Sequence, residues 1–587
     1  MKIIPKIFFL KPVFDKISRL LIRKHKIYMV LLLVFTIGFS LIETLGISVI
    51  MPFISMVSDP KIIDSGMYKK VYDFLGFSTF ESFVIAAGIC IICFYIFRSV
   101  YSVTFSWFTN RYSSGLYKYF SKKVFDTYLH VSYKVYVQKN SAVLMQAISS
   151  ETGDVGKIVL NILQFFSEIF TVLMIYAVIV ILNWRMTLVI TAALLFIVLI
   201  ILPVLTKINK DQGAKKYLAG RYMNKSLKET LGNIKYVKLK GNEKEVLNTY
   251  DSAIQLRTRS EVINNVLGII PKYILESIGF SFLIGVIIFI VWVYRDASKV
   301  IPIISMYALA LYRILPSVHR MLQNINNIVY SEKTLNSVYE SLNQQVEIEG
   351  KEIVNFNKSI SLENVNFKYL TGNNVLSGIS LEIKKGEKIA ITGESGSGKS
   401  TLVDIIIGIH TNVSGNVYID DTIINNDNIQ SWRKKIGYIP QSIYLFDGTV
   451  AENVSFGSKF DEEKIIKALQ KANIWDFLSQ KEGLQTLVGD GGIQLSGGQQ
   501  QRIGIARALY DDPEVLVLDE ATSALDTETE QKIMDEIYSV SGNKTLIVIA
   551  HRLSTVERCD RKIRLENGKI VQETAEEPLE CQIKIPS

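Results

Sequence analysis

Cysteine is scarce, with four in 587 residues. So few in so long a chain cannot build a disulfide framework. Cys90 and Cys93 form a C-x-x-C inside an apolar run and read as small buried hydrophobes, not as a redox or metal pair. No cleavable signal peptide opens the chain. Its first 26 residues instead carry Lys2, Lys6, Lys11, Lys16, Arg19, Arg23, Lys24 and Lys26 against the single acid Asp15. Interleaved with Ile, Phe and Leu, these predict a basic helix on the cytoplasmic membrane face.

Apolar residues are abundant, at 49% of the chain, and they crowd its first 330 or so positions. The net charge is +9. Nucleic acid would be one reason for it, but positive charge flanking membrane spans is the simpler one, and no nucleic-acid partner is expected. A spanning helix needs about 20 mostly apolar residues. Six stretches qualify: 27–56, 82–108, 157–182, 186–206, 266–292 and 299–330. The connections 109–156 and 207–265 are long and Lys-rich, whereas 183–185 and 293–298 are very short. Positive charge favours the cytoplasm, so the long connections and both termini are placed inside. With apolar residues at helical spacing and few breakers, the long connections read as spans continuing into the cytosol. The outer connection, Ser58 to Phe80, puts Met67, Val71, Phe74 and Leu75 on one helical face. Such a helix either lies on the outer leaflet or packs on the spans.

After an Asn-, Glu- and Lys-rich stretch at 333–358, read as a linker, the character changes. Short β-like runs lead into "GESGSGKST" (Gly393, Glu394, Ser395, Gly396, Ser397, Gly398, Lys399, Ser400, Thr401), which follows an apolar strand and precedes an apolar helix. This is a P-loop in its proper context. Backbone N–H groups and the helix N-terminus can cradle phosphate. Lys399 is expected on the β- and γ-phosphates and Ser400 on Mg²⁺. "VLVLDE" sets Asp519 and Glu520 at the end of a buried strand, Asp519 for Mg²⁺ and Glu520 as general base for the attacking water.

Between these lies "LSGGQQQR", Leu495 to Arg502, and with it the chain resembles an ABC transporter across its whole cytosolic half. The resemblance implies that Ser496, Gly497, Gly498 and Gln499 cap the ATP held by a partner's P-loop. It also implies that Tyr369 stacks on adenine, that Gln441 contacts Mg²⁺ and water, that "SALD" (Ser523 to Asp526) communicates across the dimer, and that His551 is the switch near the γ-phosphate. Six spans followed by one nucleotide domain resemble an exporter half-transporter. The expected architecture is therefore a membrane α-helical bundle of six transmembrane helices at 1–332, then an α/β P-loop nucleotide-binding domain at 359–587. Because its own signature cannot close on its own P-loop, two chains are needed: a second copy of the chain is the expected partner, with a related chain as the alternative. "ETLGNIKYVKLKGNE", Glu229 to Glu243, resembles the exporter segment that docks near Gln441 of that partner. No peptidase-like domain precedes the first span, which argues against a leader-processing peptide exporter.

Charges inside the spans bear on the cargo. Arg98, Lys272 and Arg313 lie on three different spans, with Glu43, Glu168 and Glu276 as the acids. Cations at such depth tend to face a wet cavity or an ionic partner. Lys272 and Glu276, four residues apart, can simply neutralise each other. As a set in two copies, the three cations suit an anionic, phosphate-bearing substrate. The segments "FSLIETLGISVIMPFISMVSDP", "LYRILPS" and "VGDGGIQLSGGQ" further resemble the flippases of bacterial protein N-glycosylation. That resemblance implies ATP-driven flipping of a polyprenyl-pyrophosphate-linked oligosaccharide across the bacterial inner membrane. A multidrug or lipid A type glycolipid exporter is the alternative.

Overall fold

The structure, a computed structural model, describes residues 10–49, 53–54, 56–57, 66–77, 79–182, 184–294, 301–369, 372–519, 527–550 and 558–575. The chain divides into two compact units. One holds Met1–Leu129 and Lys139–Gln344; the other holds His130–Gln138 and Gln345–Ser587.

The first unit is helical. It is built from α1 (Lys11–Leu20), α2 (Arg23–Ser48), the short α3 (Gly66–Leu75), α4 (Phe80–His130), and, past α5 (Tyr133–Tyr136) of the other unit, α6 (Thr152–Leu182), α7 (Trp184–Gly232), α8 (Glu243–Tyr294), α9 (Ile301–Tyr330) and α10 (Glu332–Leu342). Helices α4, α7 and α8 run for 51, 49 and 52 residues. At about 1.5 Å per residue each is about two and a half times as long as a hydrocarbon core is thick. The long connections are thus continuations of helices. Among the described residues, the segments Arg23–Gly46, Phe80–His130 and Ser141–Ala177 are long and apolar enough to cross a membrane.

Small polar side chains join the bundle. Ser40 Oγ on α2 donates to Ser167 O on α6 at 3.1 Å, and Thr171 Oγ1 donates to Ser40 Oγ at 3.1 Å. Such groups have few partners in lipid other than a neighbouring helix. Helices α7 and α9 come close at Gly213, where a Cβ would lie 2.0 Å from Tyr330 O.

One expectation is corrected here. The basic N-terminal helix exists as α1, but its apolar stripe of Val13, Ile17 and Leu20 is buried against Leu335 and Val338 of α10. Lys16 Nζ donates to Asn336 Oδ1 at 2.5 Å and Arg19 Nη1 to Tyr339 Oη at 3.4 Å. Protein, not lipid, covers that stripe. The stretch read as a linker begins with α10, whose Thr334, Leu335, Val338 and Ser341 are buried at helical spacing, and the division between the units, after Gln344, falls within that stretch. In the outer connection α3 presents Val71, Phe74 and Leu75 outward, Phe74 being 88% exposed, while Tyr72 packs on Phe77 and Phe83.

The second unit holds two sheets. An antiparallel one has the order β2 (Leu376–Lys384), β1 (Ser359–Phe367), β4 (Ser414–Ile419), β5 (Thr422–Ile423). The other runs β10 (Lys569–Ala575), β9 (Arg561–Glu566), β3 (Lys388–Thr392), β8 (Thr545–Ile549), β7 (Val515–Asp519), β6 (Ile436–Ile439). It is parallel from β9 through β6, with β10 antiparallel at the edge. Parallel strands are covered on both faces and read as continuous apolar runs. "VLVLD" in β7 and "TLIVI" in β8 have that character, and Val515 to Leu518 and all of β8 are buried.

Candidate functional site

Ligands of parallel α/β sheets gather beyond the carboxyl ends of the strands. Here those ends carry the P-loop after β3 and Asp519 at the end of β7, with only β8 between them. Two strand spacings separate them, roughly 10 Å.

Gly393 to Gly398 link β3 to α11 (Lys399–Ile406). Gly393 has φ +145°, and a Cβ there would lie 2.2 Å from Leu565 O and 2.9 Å from Ser397 Oγ. Gly398 has φ +104°, with Leu376 Cδ2 at 2.8 Å from the same hypothetical atom. Only glycine fits either place. Lys399, 6% exposed, folds back so that Nζ donates to Gly393 O and Glu394 O, each at 2.9 Å. Ser397 Oγ is buried in the same loop with no hydrogen-bond partner. A looped backbone, an inward lysine, an unpaired hydroxyl and a helix N-terminus together fit a nucleotide phosphate.

Ser400 is exposed at the second position of α11, and Gln441 is exposed two residues beyond β6. Tyr438 on β6 donates its hydroxyl to Asp519 Oδ2 at 3.0 Å. Burial, then the Asp519 charge, push that hydroxyl above its ordinary range. Asp404 on α11 is pushed up to about 6 by burial, with Asp519 adding to it. Tyr369, two residues past β1, sets its hydroxyl 3.4 Å from Thr401 Oγ1 at the start of α11.

The signature segment opens α12 (Gly497–Leu509). Ser496 caps it: Gln499 N donates to Ser496 Oγ at 3.4 Å and Ser496 N to Gln499 Oε1 at 2.9 Å. Ser496 and Gly497 are exposed, and Gly498 and Gln499 half-buried. Gln500 anchors the preceding loop by donating to Gly492 O at 2.9 Å and Leu495 O at 3.2 Å. This cap leaves a helix N-terminus facing outward, suited to an anion delivered from another molecule. Glu520, Ser523 to Asp526 and His551 lie outside the described residues.

The three membrane cations are treated unequally. Arg98 on α4 makes a forked contact with Glu43 on α2, Nη2 lying 2.9 Å from both carboxylate oxygens and Nε 3.2 Å from Oε1. Glu168 on α6 is likewise held by Arg320 on α9, with Nη2 3.0 Å from Oε2. Arg320, toward a span end, is not among the cations that the sequence singles out. Lys272 on α8 is exposed, with Nζ 5.5 Å from the centre of the Tyr273 ring. No ion pair joins it to Glu276 among the contacts of the described residues. The backbone of Arg313 belongs to α9; its side chain lies outside the described residues. Sequence reasoning also passes over Tyr438, which only the parallel pairing of β6 with β7 brings to Asp519, and His410, considered further below.

Comparison with known proteins agrees with this geometry. Residues 376–523 match the family described as ABC transporter, and residues 26–311 the one described as ABC transporter transmembrane region. The chain is 32% identical over 479 residues to an ATP-dependent lipid A-core flippase of Saccharophagus degradans, covering 77% of each chain. It is 30% identical over 472 residues to a protein of that name from Paraburkholderia xenovorans, covering 78% of each. A third relative, at 29% identity over 465 residues, is the heterocyst differentiation ATP-binding protein HepA of Nostoc, covering 77% of this chain and 75% of that one. The fold is similar to a bacterial Atm1-family ABC exporter with ATP bound, at a TM-score of 0.74 and 21% identity, covering 94% of this chain and 95% of the other.

Proposed function

Because the chain belongs to the ABC transporter family, with an exporter-type membrane region and an ATP-hydrolysing domain, we propose that it flips a glycolipid of the lipid A type between membrane leaflets. The observation that carries this reading is the relation to lipid A-core flippases over about three quarters of the chain, spanning the membrane half as well as the nucleotide half. The forked Arg98–Glu43 contact supports it in a second way. With Arg98 committed to a carboxylate, the case for a dense ring of free cations, which favoured a pyrophosphate-linked oligosaccharide, loses one of its three members. Lys272 and Arg313 remain as the proposed contacts to an anionic head group. A polyprenyl-pyrophosphate oligosaccharide is the second reading, since its head presents the same phosphate chemistry.

The engine is proposed to be a pair of identical chains in a bacterial inner membrane, nucleotide units inside. Each P-loop would hold ATP by Lys399 and the N–H groups of α11, and Ser496 to Gln499 of the second copy would close over it. Ser400, Asp519 and Gln441 would hold Mg²⁺, which supplies charge to the phosphates. Glu520 takes a proton from the attacking water. ATP binds the closed pair better than the open one and so shifts the membrane halves between facing states; hydrolysis resets them. A ligand moves such an equilibrium only by its differential affinity.

The test is ATP hydrolysis by purified protein in nanodiscs, titrated in parallel with lipid A, a polyprenyl-pyrophosphate oligosaccharide and an apolar cationic drug. Stimulation saturating at the lowest concentration with lipid A is expected. Response to the polyprenyl lipid alone would transfer the proposal to the second reading. Response to the drug alone would overturn both.

A further inference from the structure

His410 sits four residues beyond α11, in the turn that follows the P-loop helix. Its side chain is 2% exposed. Three aromatic rings from two other segments surround it. Phe367 of β1 lies 4.5 Å away between ring centres, tilted by 32°, and Tyr369 lies 5.7 Å away, nearly perpendicular at 83°. The third is Tyr133 of α5, at 5.7 Å and 50°. Phe367 and Tyr369 touch each other at 5.1 Å, and Lys134 of α5 sets Nζ 5.3 Å above the Phe367 ring. His410 N donates to Asp404 O at 3.3 Å, fixing the turn to α11. Nε2 is buried with no hydrogen-bond partner, and the nearest carboxylate oxygen, Asp404 Oδ2, is 4.0 Å away.

An imidazole in that setting works as a flat packing piece. It titrates far from neutrality, because burial and then the Lys134 charge lower it to about 4. What it joins is unusual. On one side is α5, a short helix from the connection between two long membrane helices that belongs to the nucleotide unit. On the other is Tyr369, whose hydroxyl reaches Thr401 at the start of the P-loop helix. Tyr133, though 43% exposed, meets His410 directly, and His410 meets Tyr369, so a change in the seating of one ring reaches the next by contact.

We propose that His410 is a positioning residue that couples the 130–138 segment to the adenine platform, so that the seating of Tyr133 sets how well Tyr369 receives the base. The proposal rests on the reading of Tyr369 as the ring that stacks on adenine. It assigns His410 no contact with nucleotide. Loss of the ring should therefore weaken ATP binding while leaving turnover at saturation intact, and loss of Tyr133 should do the same through the same path.

The experiment measures KM for ATP and kcat of the full-length protein in nanodiscs for Tyr369→Ala, His410→Ala, His410→Phe, Tyr133→Ala and the His410→Ala/Tyr133→Ala double variant. Tyr369→Ala should raise KM; if it does not, the platform reading fails, and the coupling with it. Given that rise, His410→Ala and Tyr133→Ala should each raise KM about 2- to 10-fold, the scale of one or two aromatic contacts, with kcat within about twofold of wild type. The double variant should be no worse than the worse single one, since both break one path. His410→Phe should restore KM, because shape and not charge is required. Multiplying effects in the double variant, or an unchanged KM in both singles beside a raised one in Tyr369→Ala, would overturn the coupling. Should His410→Ala fail to fold, His410→Phe paired with Tyr133→Ala decides the matter: KM must rise in the pair and not in His410→Phe alone.

Discussion

Single residues decide most of the electrostatics here, and the pair Arg98–Glu43 shows how. Side-chain exposures of 22% and 11% leave this pair little water even before lipid is considered. Removing one member strands the other, which costs on the order of 3 kcal/mol, whereas removing both charges costs much less. Arg98→Ala should therefore lower thermal stability sharply, and Arg98→Ala with Glu43→Gln should recover most of the loss in a melt followed by tryptophan fluorescence. Equal melting of wild type and Arg98→Ala would show that the fork contributes nothing. His410 supplies a second prediction at this scale. Its protonation lies at about 4 when folded, against an ordinary 6.5. Between those values the unfolded chain takes up a proton that the folded one refuses. Stability therefore falls as pH drops through that window, by on the order of 3 kcal/mol, and the loss is complete below it. Asp404, raised to about 6, pulls in the opposite direction, binding its proton more readily when folded. The difference between wild type and His410→Phe isolates the histidine: wild type should lose more stability than the variant between pH 7 and 4. Parallel curves would contradict its neutral burial.

Among elements, the ones whose signal is local were legible in the sequence. "GESGSGKST" needs only a strand before it and a helix after it, and both are there as β3 and α11. The capping box of α12 is likewise written in Ser496 and Gln499, three residues apart. Long-range features were not legible. Arg98 meets Glu43 across 55 positions, and Tyr438 reaches Asp519 across 81. No spacing rule connects such residues; only helix packing and parallel strand order do. Helix α10 was hidden by its composition: polar residues make up most of EKTLNSVYESL, while Leu335 and Val338 carry the buried face. His410 follows the apolar run Ile405 to Ile409, and its cage comes from two distant segments. The close crossing of α7 and α9 was also unannounced, because a single glycine among charged residues carries no packing signal. Gly213→Ala should push Tyr330 backbone away, since the new Cβ would start 2.0 Å from its carbonyl oxygen. The expected cost is about 1–3 kcal/mol, read as a lowered melting midpoint. Gly232→Ala, whose Cβ meets nothing within 4 Å, serves as the control and should not fall.

At the scale of the whole molecule, an ATP-hydrolysing unit is joined to a helical membrane unit, and the second is proposed to do the work of moving a lipid. The helical unit is built for length: α4, α7 and α8 each run about 75 Å at helical rise, with Pro203 inside α7 and Pro271 inside α8 as the places where a helix can bend. The most direct measurement is flipping itself. Protein reconstituted in vesicles with fluorescently labelled lipid A is given ATP, and the label accessible to a membrane-impermeant quencher is followed, for wild type and for Glu520→Gln. Wild type should show an ATP-dependent change in accessible label that is lost in Glu520→Gln, although the variant still binds ATP. Vigorous ATP hydrolysis by wild type with no movement of the lipid, or equal movement in the variant, would contradict the flippase reading.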